Sequence, residues 1–225
     1  MLLKDFSKIF FTILVLHLVV IDVGESEMLL FFTKPLILLS LIAFYWGHTE
    51  NRQSFETKFL LGLVFSLLGD VLLMFSEKAE LFFMLGLGAF LIAQVFYSWA
   101  FIKENIGTKG LLQRQPWLAL VLLGYGVWFV LLLKDNLGSL LVPVIVYAFM
   151  LTTMANAALN RFGKVPVKSF VLVFVGALFF VASDSVLAYT KFVDVFPYSR
   201  IVVMATYGLA QYFLVWGMLQ KRLDS

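Results

Sequence analysis

Eight long apolar runs follow one another along this chain of 225 residues, with only short polar pieces between them. A helix needs about 17–25 consecutive apolar residues to cross the hydrocarbon core of a bilayer. The runs meet this length, and they lie at residues 6–23, 29–46, 58–76, 80–102, 117–133, 138–159, 168–190 and 199–219. A membrane β-barrel would show short segments of alternating polarity, which the apolar runs lack. The sequence therefore predicts an all-α, polytopic membrane bundle of eight transmembrane helices, with residues 1–225 forming a single transmembrane domain.

The composition supports a chain that is solvated by lipid, and it excludes several kinds of site. Hydrophobic residues make up 62% of the chain and charged residues 14%, whereas soluble domains have about 45–50% and about 25%. With no cysteine and only two histidines, neither thiolate chemistry nor a His-based metal site is expected. The chain contains no phosphate-binding loop and no zinc-protease motif. We expect no cofactor and no metal, and the net charge of +3 does not indicate a nucleic-acid partner.

The distribution of lysine and arginine predicts the orientation in the membrane. Cytoplasmic loops carry an excess of these residues. With the N-terminus inside and eight crossings, 12 basic residues lie on the cytoplasmic side, 4 lie on the opposite side and 1 lies within a span, which accounts for all 17. We therefore expect a protein of the inner or plasma membrane with both termini in the cytoplasm. The first run follows Lys4 and Lys8 and is interpreted as a retained helix rather than a cleaved signal peptide.

A weak internal repeat relates the two halves of the chain. In spans 3 and 7 a glycine precedes an aspartate by eight residues, and a leucine follows three residues later. These residues are Gly62, Asp70 and Leu73 in one half, and Gly176, Asp184 and Leu187 in the other. The next helices share the pattern Ala-Gln-x-Phe at residues 93–96 and 210–213. The matches predict two parallel four-helix repeats, because an even number of crossings gives both copies the same orientation.

Three charged residues, Lys34, Asp70 and Asp184, lie deep inside the predicted spans. Each is seven residues from a charged residue at the outer end of its span, and at about 1.5 Å per residue all three lie roughly 10 Å below that boundary. A charge inside the membrane costs about 2.5–3.5 kcal/mol on insertion scales, so such residues face the bundle interior and have partners. Their common depth indicates one site. The alternative is a buried salt-bridge cluster that only fixes helix packing.

Polar neutral side chains near this depth are candidates for contacts with the three charges. They are Tyr147 in span 6, Tyr207 and Gln211 in span 8, and Ser66 and Ser183 beside the aspartates. For each of them, an ordinary hydrogen bond between helices is favoured over a catalytic role. Gln94 has a weaker claim because it lies nearer the cytoplasmic half of its span, and His17 and Asn156 are interpreted as polar residues that serve packing.

The segments around the two aspartates resemble the signatures of a known family. They read GLVFSLLGDVLLM at 62–74 and VGALFFVASDSVL at 175–187, and they are similar to the two signatures of the YhhN family of lysoplasmalogenases. The segment TKPL at 33–36 is similar to the family's Lys-Pro element. Pro143 with Tyr147 and Tyr207 with Gln211 also resemble family positions. Gln94 departs from the pattern, which has a histidine there, and this leaves the role of that position open.

The resemblance implies hydrolysis of the vinyl-ether bond of a lysoplasmalogen to a fatty aldehyde and a glycerophospho-base. An acid that protonates the β-carbon of a vinyl ether produces an oxocarbenium ion, which water captures, much as two carboxyl groups cleave a glycoside. Asp70 and Asp184 are the implied catalytic pair, with either one as the acid. The implied substrate-binding residues are Lys34, Tyr147, Tyr207 and Gln211. The implied partner is a lysophospholipid that enters from the surrounding membrane lipids.

Two other classes of function fit the same residues. Parallel repeats with carboxylates and a lysine inside the membrane are typical of a proton-coupled transporter of small molecules or lipids. Two helices that each bring an aspartate also fit an intramembrane aspartyl protease. The protease pattern has a tyrosine before one aspartate, however, whereas residue 183 is serine.

Overall fold

The computed structural model describes residues 3–24, 27–49, 54–103 and 109–223 of the chain. Within them the long elements are eight α-helices: α1 (Leu3–Val23), α2 (Glu27–His48), α3 (Ser54–Leu73), α4 (Glu80–Lys103), α6 (Ala119–Leu137), α7 (Leu141–Leu159), α8 (Val167–Phe192) and α9 (Ser199–Leu223). A one-turn helix α5 (Leu111–Arg114) and two 3-10 turns complete the described elements. No β-strand occurs in these ranges, and the all-α prediction is confirmed.

Six stretches of the described chain are long and apolar enough to cross a membrane. One of them, Pro116–Leu159, contains both α6 and α7, so the six stretches cover seven of the eight long helices. The remaining helix, α3, carries Glu56, Lys58 and Asp70 within its 20 residues. The apolar helices indicate an integral membrane protein, and a count of eight crossings stays a prediction.

The break between α6 and α7 differs from the sequence-based boundary at residue 133. Helix α6 continues through Leu137, four residues further. Its added turn carries Lys134, Asp135 and Asn136, which are all exposed, so polar residues alone did not end the helix. The helix ends where Gly138 adopts a φ of 50°, a conformation that glycine takes without the steric cost of a Cβ atom.

Close packing of neighbouring helices holds the two aspartate-bearing helices in place. Helix α3 packs along α4, and α8 packs along α9. The ring of Tyr97 on α4 lies against the backbone at Gly62. Gly176 on α8 lies against the backbone of α9 at Ala210 and Leu214. The first glycine of each predicted repeat thus faces the following helix, where the missing side chain allows a close approach.

The close contact at Gly176 predicts how a larger residue there would change stability. A Cβ atom at Gly176 would lie 2.9 Å from the carbonyl oxygen of Ala210, and a backbone atom cannot move aside as a side chain can. We expect Gly176→Ala to lower the free energy of unfolding by about 1–3 kcal/mol through overpacking. Gly88 on α4 has open space at its Cβ position, so Gly88→Ala should be neutral or stabilising. Thermal unfolding in detergent micelles compares the two, and equal stabilities would contradict this packing.

Candidate active site

The first of two polar clusters surrounds Asp70 near the end of α3. The carboxyl group is buried, with 4% of the side chain exposed, and its Oδ1 lies 3.8 Å from Nζ of Lys34 on α2. The hydroxyl group of Tyr207 on α9 donates a hydrogen bond to Oδ2 at 2.9 Å. Three helices therefore meet at one carboxyl group, as the cost of an unpartnered charge inside an apolar bundle requires.

Lys34 directly precedes a proline within α2. This residue, Pro35, lies inside the helix, and a proline removes one backbone hydrogen bond of the preceding turn. The Lys34 side chain is 18% exposed, so it reaches Asp70 without being sealed from the surface. The structure pairs this lysine with Asp70, and its role in binding substrate stays a prediction.

The second cluster surrounds Asp184 on α8. The hydroxyl group of Tyr147 on α7 donates to Oδ2 at 2.5 Å. Nε2 of Gln94 on α4 lies 3.5 Å from the same oxygen, a long hydrogen bond. No hydrogen bond reaches Oδ1 from any residue in the described part of the chain. Both neighbours of Asp184 are neutral donors, in contrast to the cation beside Asp70.

The two clusters belong to one region of the bundle. Phe180 lies one helical turn before Asp184 on α8, and its ring packs against Tyr207, the hydrogen-bond partner of Asp70. Each aspartate is contacted from the other half of the chain: Tyr207 of the second half reaches Asp70, and Gln94 of the first half reaches Asp184. The ring of Tyr207 also packs edge-on against Phe90 and Phe180. Each carboxyl group is therefore contacted from both halves of the chain.

Gln211 lies in a third, fully buried network. Its Oε1 accepts a hydrogen bond of 2.9 Å from the hydroxyl group of Tyr97, which lies 3.2 Å from Oγ of Ser66. This network joins α3, α4 and α9 one to two turns from the Asp70 cluster. Gln211 therefore contacts protein groups, and its predicted role in binding substrate is untested.

Two residues of α4 contribute more to these networks than the sequence pattern predicts. Gln94 contacts Asp184 although it was placed nearer the cytoplasmic half, because a depth counted from residue numbers ignores how each helix is tilted and shifted. Tyr97, which links Ser66 to Gln211, was not singled out. Gln94 and Tyr97 are three residues apart, and this spacing puts two polar side chains on one face of an apolar helix. That pattern could have identified both.

Two cavities lie beside the two clusters. Asp184 lines the first of them, and Asp70 is not among the residues that line either one. An apolar cavity of about 60 Å³ is lined by Asp184, Tyr147 and many hydrophobic side chains. A larger cavity of about 370 Å³ is lined by Lys34 and several other polar residues. Leu73 and Leu187, the equivalent leucines of the predicted repeat, line both cavities. The arrangement offers apolar space beside one carboxyl group and polar space beside the cation of the other.

Known proteins similar to this chain share one activity in their names. Lysoplasmalogenase TMEM86B of Sus scrofa is 31% identical over 97% of this chain and 88% of its own length. Lysoplasmalogenase TMEM86B of Homo sapiens is 31% identical over 84% of this chain and 74% of its own length. Lysoplasmalogenase TMEM86A of Homo sapiens is 31% identical over 74% and 67%. No solved structure matches the chain. The YhhN family matches residues 29–218, and this chain belongs to that family.

Proposed function

We propose that this integral membrane protein hydrolyses the vinyl-ether bond of a lysoplasmalogen, releasing a fatty aldehyde and a glycerophospho-base. The observation that carries the proposal is the pair of aspartates, whose clusters adjoin through Tyr207 and Phe180 and whose partners differ in charge. Such a pair supplies the acid and the base that the reaction needs. The names of the similar proteins support this activity over transport and over peptide cleavage.

The two aspartates take different roles because their neighbours differ. Asp70 has the Lys34 cation beside it, so we assign it the ionised form and the role of base. Among the described residues the donors to Asp184 are both neutral, and both of them reach Oδ2. Oδ1 is then available to carry a proton toward the apolar cavity, and we assign Asp184 the role of acid.

Protonation of carbon is the first step. Asp184 donates its proton to the β-carbon of the vinyl ether, which leaves an oxocarbenium ion and an ionised Asp184. Water adds to the α-carbon while Asp70 accepts one of its protons, and a neutral hemiacetal results. The negative charge of the carboxylates stabilises the cation between these events, as in glycoside hydrolysis.

Collapse of the hemiacetal restores the enzyme. Asp184 takes the proton of the hemiacetal hydroxyl group as the bond to the glycerol oxygen breaks. Asp70 returns its proton to that oxygen. The products are an aldehyde and a glycerophospho-base, while Asp184 is again protonated and Asp70 again ionised. Tyr147 and Tyr207 hold the two carboxyl groups in position, and Lys34 also faces the polar cavity, where a phosphate can reach it.

The placement of the site suits a substrate that arrives from the bilayer. A single-chain lipid can enter between helices with its vinyl ether just below the headgroups, near the depth calculated for the aspartates. The distribution of basic residues supports an inner or plasma membrane location with both termini in the cytoplasm. The site then opens toward the outer leaflet.

The activity is tested directly with the purified full chain in detergent or liposomes. We expect time-dependent release of a fatty aldehyde from 1-alkenyl lysophosphocholine or lysophosphoethanolamine, measured by coupled reduction of the aldehyde. The 1-acyl lysolipid of the same chain length is the control, because it contains no vinyl ether to protonate. Release of fatty acid from that ester without aldehyde from the ether would contradict the proposed reaction.

A further inference from the structure

The polar cavity of about 370 Å³ is lined by several charged side chains and by one histidine. At its rim lie Arg200 and Glu77, which form an exposed ion pair of 3.1 Å. Lys34 and His17 also line the cavity. His17, on α1, is 1% exposed to solvent, and no step of the proposed reaction uses it.

The hydrogen bonds of His17 determine its tautomer. Nδ1 lies 2.8 Å from Oγ1 of Thr33. That hydroxyl group donates its single proton to the carbonyl oxygen of Leu29 at 2.8 Å, so it can only accept from the histidine. Nδ1 therefore carries the proton of the neutral ring, and Nε2 presents a lone pair.

Nε2 of His17 is a buried acceptor with no hydrogen-bond partner among the described residues. An unmade hydrogen bond at a buried polar atom lowers stability, which a ligand with a suitable donor would correct. The ligand needs a hydroxyl group rather than an anion, because a lone pair repels negative charge. The cavity is also next to the reacting groups, since Lys34 contacts both the cavity and Asp70.

A lysolipid has such a donor at the required place. Its sn-1 carbon carries the vinyl ether, the neighbouring sn-2 carbon carries a free hydroxyl group, and the phosphate follows. A diradyl lipid has an ester at sn-2 and no donor there. We propose that the polar cavity is the glycerol subsite and that Nε2 of His17 accepts a hydrogen bond from the sn-2 hydroxyl group, which selects single-chain substrates. This inference rests on the proposed function, and His17 lies before the residues that match the family.

Kinetics on a matched pair of substrates test the proposal. The pair is 1-alkenyl lysophosphocholine and its sn-2-deoxy analogue, which lacks only the hydroxyl group. We expect the wild-type protein to favour the hydroxyl substrate by roughly 10- to 100-fold in kcat/KM, the range expected when a buried acceptor loses its donor. In His17→Asn the amide nitrogen can still reach Thr33, but no atom replaces Nε2, and the ratio should fall to about one. His17→Gln restores an acceptor and should recover part of the ratio.

The outcomes separate this inference from the proposed function. If the wild-type protein releases aldehyde from both substrates with equal kcat/KM, the proposed hydrolysis stands and the role of His17 is overturned. An equal loss on both substrates in His17→Asn, with the ratio kept, would also overturn it, since a purely structural role has that effect. Absence of aldehyde from either substrate in the wild type would overturn the proposed function together with this inference.

A spectroscopic readout does not depend on turnover or on a variant that folds. The chain has two histidines, His17 and His48, so histidine labelled with nitrogen-15 gives few signals. The non-hydrolysable 1-alkyl lysophosphocholine should shift the signal of the unprotonated nitrogen of His17 upfield, and its sn-2-deoxy analogue should leave it in place. Identical spectra with the two lipids would contradict the hydrogen bond.

Discussion

Replacement of Asp184 by asparagine is expected to reduce aldehyde release from lysoplasmalogen by roughly a hundredfold to ten-thousandfold, the range that general acid–base catalysis contributes. Asparagine has the same shape, and its carbonyl oxygen can still accept from Tyr147 and Gln94. It has no proton to donate to the β-carbon. Binding of the substrate should change little, so the loss is expected in kcat rather than in KM. Initial rates of aldehyde release at saturating lipid provide the measurement.

A matched substitution distinguishes this loss from a general effect of removing a carboxylate. Asp135 lies exposed in the last turn of α6, and Asp135→Asn should keep the wild-type rate. Asp184→Asn must also elute as a monodisperse protein with an unfolding temperature near that of the wild type. A variant that folds normally and keeps more than about a tenth of the wild-type rate would rule out Asp184 as the acid, because even a weak general acid contributes more.

Replacement of Lys34 is expected to cause a large loss of stability. Combined with a substitution at Asp70, it distinguishes a catalytic role of the ion pair from a role in packing. Lys34→Met leaves the buried Asp70 without its cation, and breaking a buried ion pair on one side costs about 3–5 kcal/mol. The double substitution Lys34→Met with Asp70→Asn removes both charges. We expect it to recover most of the lost stability, since the hydrogen bond from Tyr207 can be kept. Activity should stay absent in the double variant because no base remains.

The same experiment tests the interpretation of the three charges as a structural cluster. A double variant that recovers both stability and aldehyde release would show that the ion pair only holds α2 and α3 together. Lys134→Met, at the exposed end of α6, serves as the control for losing a lysine and should alter neither property. Chemical unfolding in mixed micelles gives the stabilities, and the aldehyde assay gives the activities.

Helix positions could be read from the sequence because a lipid environment imposes one dominant constraint. A run at 168–190 predicts a helix that the structure places at Val167–Phe192, and a run at 29–46 corresponds to Glu27–His48. Hydrocarbon allows few alternatives to a helix for such runs, since every backbone polar group must be paired within the segment. Helix α6 continues four residues beyond the apolar run at 117–133 because its end depends on the backbone conformation at Gly138, a local property that hydrophobicity does not report.

The sequence alone determined that the chain is helical, that it lies in a membrane and that Lys34, Asp70 and Asp184 must face the interior. These conclusions follow from the cost of exposing polar groups to lipid, which each residue carries wherever its helix lies. Only the tertiary structure decided that Lys34 pairs with Asp70, that Gln94 and Tyr147 contact Asp184, and that Nε2 of His17 is buried without a hydrogen-bond partner among the described residues. Such partners depend on the rotation and tilt of one helix against another. Packing between side chains that are distant in sequence sets these angles.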